Sequence, residues 1–170
     1  YQIAPLPIVD KLNTGFAATA QKQITATLSA DGRFSIASGS NFAGAFKKAG
    51  VPIADPVPKE KLVAVGKNLN SQALIVGNIM RFGDRTKLNL KFMVFSNNQA
   101  VELHNANIDF TDGTTGKSEE ISQAILDALA TLPYDGIVTS VEGDGVKVKH
   151  SKKKILSSGE DIKLISVSAI

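Results

Sequence analysis

Midway along the chain of 170 residues, two runs rich in β-branched and aromatic residues, Ala73 to Arg81 and Lys87 to Phe95, flank a Gly83-Asp84 turn. That arrangement predicts a β-hairpin. Ser96-Asn97-Asn98 then turns the chain into a further strand, Ala100 to Phe110. Three successive strands at the centre of a chain leave its remaining segments to cover the sheet they form.

The flanking segments have helical period. Leu12, Phe16, Ala20, Ile24 and Leu28 recur at four-residue steps and predict an amphipathic helix starting near Lys11. Before it, Ile3 to Val9 is apolar but holds two prolines, which places a short strand near a sheet edge. After it, Asp31-Gly32 turns into a short strand, Arg33 to Ala37. Ser40 or Asn41 can cap a second helix through Lys48, stopped by Gly50. Three prolines within Val51 to Pro58 make that stretch a loop, and Pro58 suits the first position of a third helix reaching about Asn68. Glu119 to Leu132 reads as the last helix, with Ile121, Ile125, Leu126 and Leu129 on one face.

Beyond Pro133 the character changes. Gly136 to Val141, Val146 to His150 and Ile162 to Val167 read as strands, with Gly143-Asp144-Gly145 as a tight turn. The expected architecture is therefore α/β (α+β). A mixed, largely antiparallel sheet flanked by helices occupies residues 1–132, and residues 133–170 form a small all-β domain or extension. About forty residues are marginal for independent folding, so the tail either packs on the first domain or continues beyond the sequence given.

A hydrophobic share of 43% with 21% charged residues is the balance of a globular chain. A net charge of +3 is too small to argue for nucleic acid as a partner. No apolar run approaches the ~18 residues that span a bilayer, and the chain opens at Tyr1, as a mature or trimmed form would. Any membrane attachment would then come from a lipid anchor ahead of Tyr1. With no cysteine there are no disulfides or thiolate metal sites.

Few residues suggest chemistry. Thr111 to Ser118 ends in the Gly-Lys-Ser of a phosphate-binding loop, but Thr111 stands where such a loop needs glycine. A polar turn into a helix, capped by Ser118 with Glu119 and Glu120 in its first turn, accounts for the same residues. His104 and His150 stand apart, short of the clustered ligands a zinc site uses. No catalytic, cofactor-binding or metal residue is assigned, and no enzyme activity is expected. Lys147, Lys149, Lys152, Lys153 and Lys154 form the one dense charge cluster. They read either as a solvated hairpin whose lysines protect a sheet edge or as a patch for an anionic polymer or lipid.

The stretch Val65-Gly66-Lys67-Asn68-Leu69-Asn70-Ser71-Gln72-Ala73-Leu74-Ile75-Val76-Gly77-Asn78-Ile79 resembles the helix-then-strand signature of the TolB amino-terminal domain and of the curli-export lipoprotein family. The order of elements across residues 1–132 fits the same family. In the tail, residues 135–148 and Ser158-Gly159-Glu160-Asp161 resemble the closing domain of flagellar assembly protein T, which joins such a tail to a TolB-type domain. Lysines at 152–154 replace the glycine-rich turn usual there.

The resemblance implies a periplasmic or outer-membrane-associated bacterial protein that works by contact. The expected function is a non-enzymatic envelope scaffold or assembly module with protein partners, self-association included. The alternative is a periplasmic domain that binds peptidoglycan or another anionic polymer through its lysine-rich tail. Phe46, Val51, Ile53 and Val57, on and beside the proline loop, are the expected partner surface, because loops held by a rigid scaffold are frequent binding elements.

Overall fold

The computed structural model describes residues 2–37, 39–96, 98–111, 117–132 and 136–150, with the backbone alone at 136, 137, 149 and 150. The elements run β1 (Gln2–Pro5), α1 (Phe16–Asp31), β2 (Ser35–Ile36), α2 (Phe42–Ala49), α3 (Lys59–Asn68), β3 (Ala73–Phe82), β4 (Arg85–Ser96), β5 (Gln99–Phe110), α4 (Ser118–Ala130), β6 (Gly136–Glu142) and β7 (Gly145–His150). Strands β2-β1-β3-β4-β5 form one sheet in that order, and β6-β7 form a separate hairpin. The first three strands pair parallel and the last three antiparallel. The α+β class with a mixed sheet and a small β appendage is what the sequence predicted.

Helices cover both faces of the sheet. Along β3, Ala73, Ile75 and Ile79 join a core with Phe16, Ala20, Ile24 and Leu28 of α1 and Ile121, Ile125 and Leu129 of α4. Leu74, between them, joins Phe42 and Phe46 of α2 and Leu62 and Val65 of α3 in a second core. The two-residue period of the strand sends neighbouring side chains to opposite layers. Gln23 and Thr27 of α1 both hydrogen-bond Ser122 of α4, at 2.6 and 3.0 Å, and tie the first pair of helices together. In the β3–β4 turn, Gly83 takes a φ of 61°, a left-handed value that costs least without a Cβ.

Three expectations are corrected. The α1 helix begins at Phe16, a turn later than the Lys11 start, because Asn13 (φ 53°) and Gly15 (φ 75°) lie outside helical space. Asp10 holds that turn, accepting from the Leu12 N–H and from Thr14 Oγ1, which leaves Leu12 exposed. The first strand lies inside the sheet, between β2 and β3. Pro5 is tolerated there because Leu6 donates to β3 and Ile3 accepts from Ala37. By that alternation the missing N–H of Pro5 points toward the β2 side, past the end of that strand. Finally, α4 starts at Ser118, whose flanking cap position is Lys117 with no side-chain cap bond. The third tail strand expected at 162–167, and the Pro133 boundary, lie outside the described residues.

Candidate functional site

On the face served by α2 and α3, the helices cover only part of the sheet. Under them lie Leu74, Met93 and Ala100, all buried. Farther along the same face, side chains become polar: Asn78 on β3, Asn89 and Lys91 on β4, and Asn105 and Asn107 on β5. Asn78, Asn89, Lys91 and Asn105 form the floor of a groove of about 580 Å³, and Asn107 lies beside Asn89 at its margin. Pro7 and Val9 line it on one side, and Phe46, Leu62, Asp55, Pro56 and Val57 on the other.

Backbone geometry sets that shape. Beyond β1 the chain keeps following β3, with Val9 N–H donating to Gly77 O at 3.0 Å and Ile79 N–H to Val9 O at 2.8 Å. Gly77 permits the approach, since a Cβ there would lie 2.9 Å from Ile8 Cγ1. Lys11, just past this segment, reaches Asp55 of the proline loop at 2.7 Å and links the two walls.

The charges on the floor are arranged in pairs. Lys91 Nζ lies 2.9 Å from Glu102 Oε2. The hydrogen bond from Lys91, with a smaller one from Asn105, holds the Glu102 carboxyl below its ordinary range against the opposing effect of burial. A lowered folded value means that the stabilisation exists above the unfolded glutamate pKa of about 4.3 and disappears as pH falls through the folded value. Glu102→Gln is therefore expected to cost up to about 0.5 kcal/mol at pH 7, as for a largely exposed pair. Urea midpoints of the two proteins should converge in acid, once Glu102 is protonated in both the folded and unfolded chain. A gap that persists there would mean Glu102 acts by packing instead of charge.

The structure divides the expected partner surface. Phe46 and Val57 both line the groove. Val51 is 7% exposed and belongs to the second core, so it holds the loop down from inside. Ile53 stands out in solvent at 44% exposure. Of the lysine patch, Lys147 lies on β7 with Nζ 2.6 Å from Glu142 Oε1. Lys149 is on the same strand, and Lys152, Lys153 and Lys154 lie outside the described residues, as do 112–116 of the phosphate-loop look-alike. Lys117, at its end, pairs with Glu120 of α4. Among the described residues no three His, Asp or Glu side chains gather as metal ligands, and no helix is long and apolar enough to cross a membrane.

The asparagines on the floor were missed in the sequence. Asn is depleted in strands, yet Gly77-Asn78-Ile79 and Leu88-Asn89-Leu90 each set one within a strand pattern, and Asn105-Ala106-Asn107 sets two at a two-residue period. That local signal is readable. The assembly of these residues into one patch depends on strand register.

No family model matches this chain, and no curated protein matches it. Among solved structures, it is similar to the LpoB C-terminal domain from Salmonella enterica, at 14% identity over 65% of this chain and 81% of that one, with a TM-score of 0.47. It is also similar to lipoprotein GNA1162 from Neisseria meningitidis, at 18% identity over 78% of this chain and 99% of that one, TM-score 0.48. TolB from Acinetobacter baumannii is a further likeness, at 16% identity over 88% of this chain and 38% of that one, TM-score 0.44.

Proposed function

We propose that this chain is a non-enzymatic module of the bacterial envelope, periplasmic or outer-membrane-associated, that acts as a scaffold or assembly part by binding a protein partner in the groove. One observation carries the reading: a concave surface walled by a proline-stiffened loop, with Ile53 exposed beside it. Proline lowers the conformational entropy such a loop loses on binding. Acid–base chemistry would need titratable groups converging without committed partners, whereas Lys91–Glu102 and Lys11–Asp55 are mutually paired. The envelope assignment rests on the TolB-type signature at residues 65–79, which folds here as the end of α3, a turn and β3.

A photo-crosslinking amino acid at Ile53, compared with one at exposed Lys22 on α1, tests this reading in envelope extract. The Ile53 probe should trap a discrete protein, the Lys22 probe should not, and Val57→Ser should reduce the yield several-fold. Val51 is unsuitable for such a test because its burial makes any polar replacement a stability variant. Equal trapping at both positions would overturn the reading. So would binding to isolated peptidoglycan that is lost when the lysines at 152–154 are replaced.

A further inference from the structure

Asn78, Asn89 and Asn107 stand directly opposite one another in the register of β3, β4 and β5, and so form a single row across three strands. At the centre, Asn89 is only 7% exposed. Its Nδ2 donates to Asn105 Oδ1 at 2.7 Å and to Asn107 Oδ1 at 3.0 Å, which commits both amide hydrogens. Its Oδ1 accepts no hydrogen bond from the described residues. On the floor of the open groove that oxygen is left to water or to a ligand.

The rest of the row is also uncommitted. Neither the Asn107 amide nitrogen nor the Asn78 amide bonds a described residue. The row therefore presents an acceptor at Asn89, a donor at Asn107 and both at Asn78. Every residue of a main chain other than proline carries one donor and one acceptor. Strand spacing makes the row ~10 Å long, the length of about three residues of extended chain.

The surroundings narrow the ligand further. Lys91–Glu102 and Lys87–Asp109, at 2.9 and 3.4 Å, flank the row with self-paired charges, while Lys59 stands on the groove wall. Val57, Val76 and Met80 supply apolar contact, and Met adapts to varied side chains. Phe46, the aromatic side chain lining the groove, is buried and offers no open ring face for a sugar.

The geometry points to a site that reads main-chain amides: the asparagine row takes an extended polypeptide segment of the partner, with apolar side chains set against Val57, Val76 and Met80. This rests on the groove being the contact surface, and it adds what the groove recognises. Its test follows the side-chain NH2 signals of the ¹⁵N-labelled full chain during titration with the capped hexapeptide acetyl-Gly-Val-Ser-Val-Ser-Gly-amide, with chitotriose as a parallel arm. Saturable shifts at Asn78, Asn89 and Asn107 are expected with the peptide. Asn78→Ala, whose side-chain amide bonds no described residue and so spares the fold, should weaken binding about three- to tenfold, the loss of one hydrogen bond. Asn89→Leu, which keeps the shape, should weaken it at least as much. Absence of saturable peptide shifts, or stronger shifts with chitotriose, would overturn the inference. If the Ile53 crosslink persists in that case, the contact surface stands and only the main-chain reading falls.

Discussion

Replacing Arg33 with alanine is expected to destabilise the protein by about 3 kcal/mol, the loss seen when one member of a buried ion pair is removed. For a chain of this size that corresponds to roughly 8 °C in Tm. Arg33 follows the glycine that ends α1, where the chain turns into β2. Its Nε lies 2.6 Å from Asp31 Oδ1 and its Nη2 3.0 Å from Asp31 Oδ2, with both side chains 7% exposed. The guanidinium also sits 4.8 Å from the centre of the Phe34 ring. Removing it leaves a carboxylate in a site with little water. The pair itself need not be worth that much, since apolar replacement of both partners is often neutral. The double variant Arg33→Met with Asp31→Leu should therefore recover most of the loss in urea denaturation. A single-variant loss below about 1 kcal/mol would mean the corner is effectively solvated and held by Phe34 and Ile36 alone.

That pair shows where sequence reading stops. Arg33 reads as the first residue of a short strand and Asp31 as half of an Asp-Gly turn, and both descriptions are locally sound. Neither reveals that the corner is buried, because burial is decided by segments far away in the chain. Elements with strong local signals were legible. The hairpin around Gly83, the helix ended by Gly50 and the helix that Pro58 introduces all lie within a residue or two of their expected bounds. Leu12 misled because it continued the four-residue step of α1. The side chain of Asp10 organised a turn there, and such local side-chain bonding competes directly with helix.

The site was half legible for a related reason. Prolines mark a loop from sequence alone, so the wall of the groove could be named. Whether each apolar residue of that loop faces in or out could not, and the structure puts Val51 inside and Ile53 outside. The floor is harder still. Asn78 and Asn107 are separated by twenty-nine positions in the chain and are joined only through the register each shares with Asn89. A one-residue slip of either pairing would send an asparagine into the α1–α4 core.

The second large effect tests where the helical cover ends and the groove begins. Leu74, Val76 and Asn78 lie on one face of β3, two residues apart. Leu74 is fully buried against α2 and α3, Val76 half-buried, and Asn78 lines the groove. Leu74→Ala removes buried methyl and methylene groups and leaves a cavity, for about 3 kcal/mol. Val76→Ala should cost about 1 kcal/mol, since water already replaces part of its packing. Asn78→Ala should stay within about 0.5 kcal/mol, as surface changes do. All three would be read as urea midpoints at unchanged slope, so that differences report stability. The ordering carries the argument. If Val76→Ala cost as much as Leu74→Ala, the cover would extend over the floor and the groove would be packed shut in solution. A steep fall from Leu74 to Asn78, with Asn78→Ala still weakening the hexapeptide, would separate a residue kept for binding from its neighbours kept for folding.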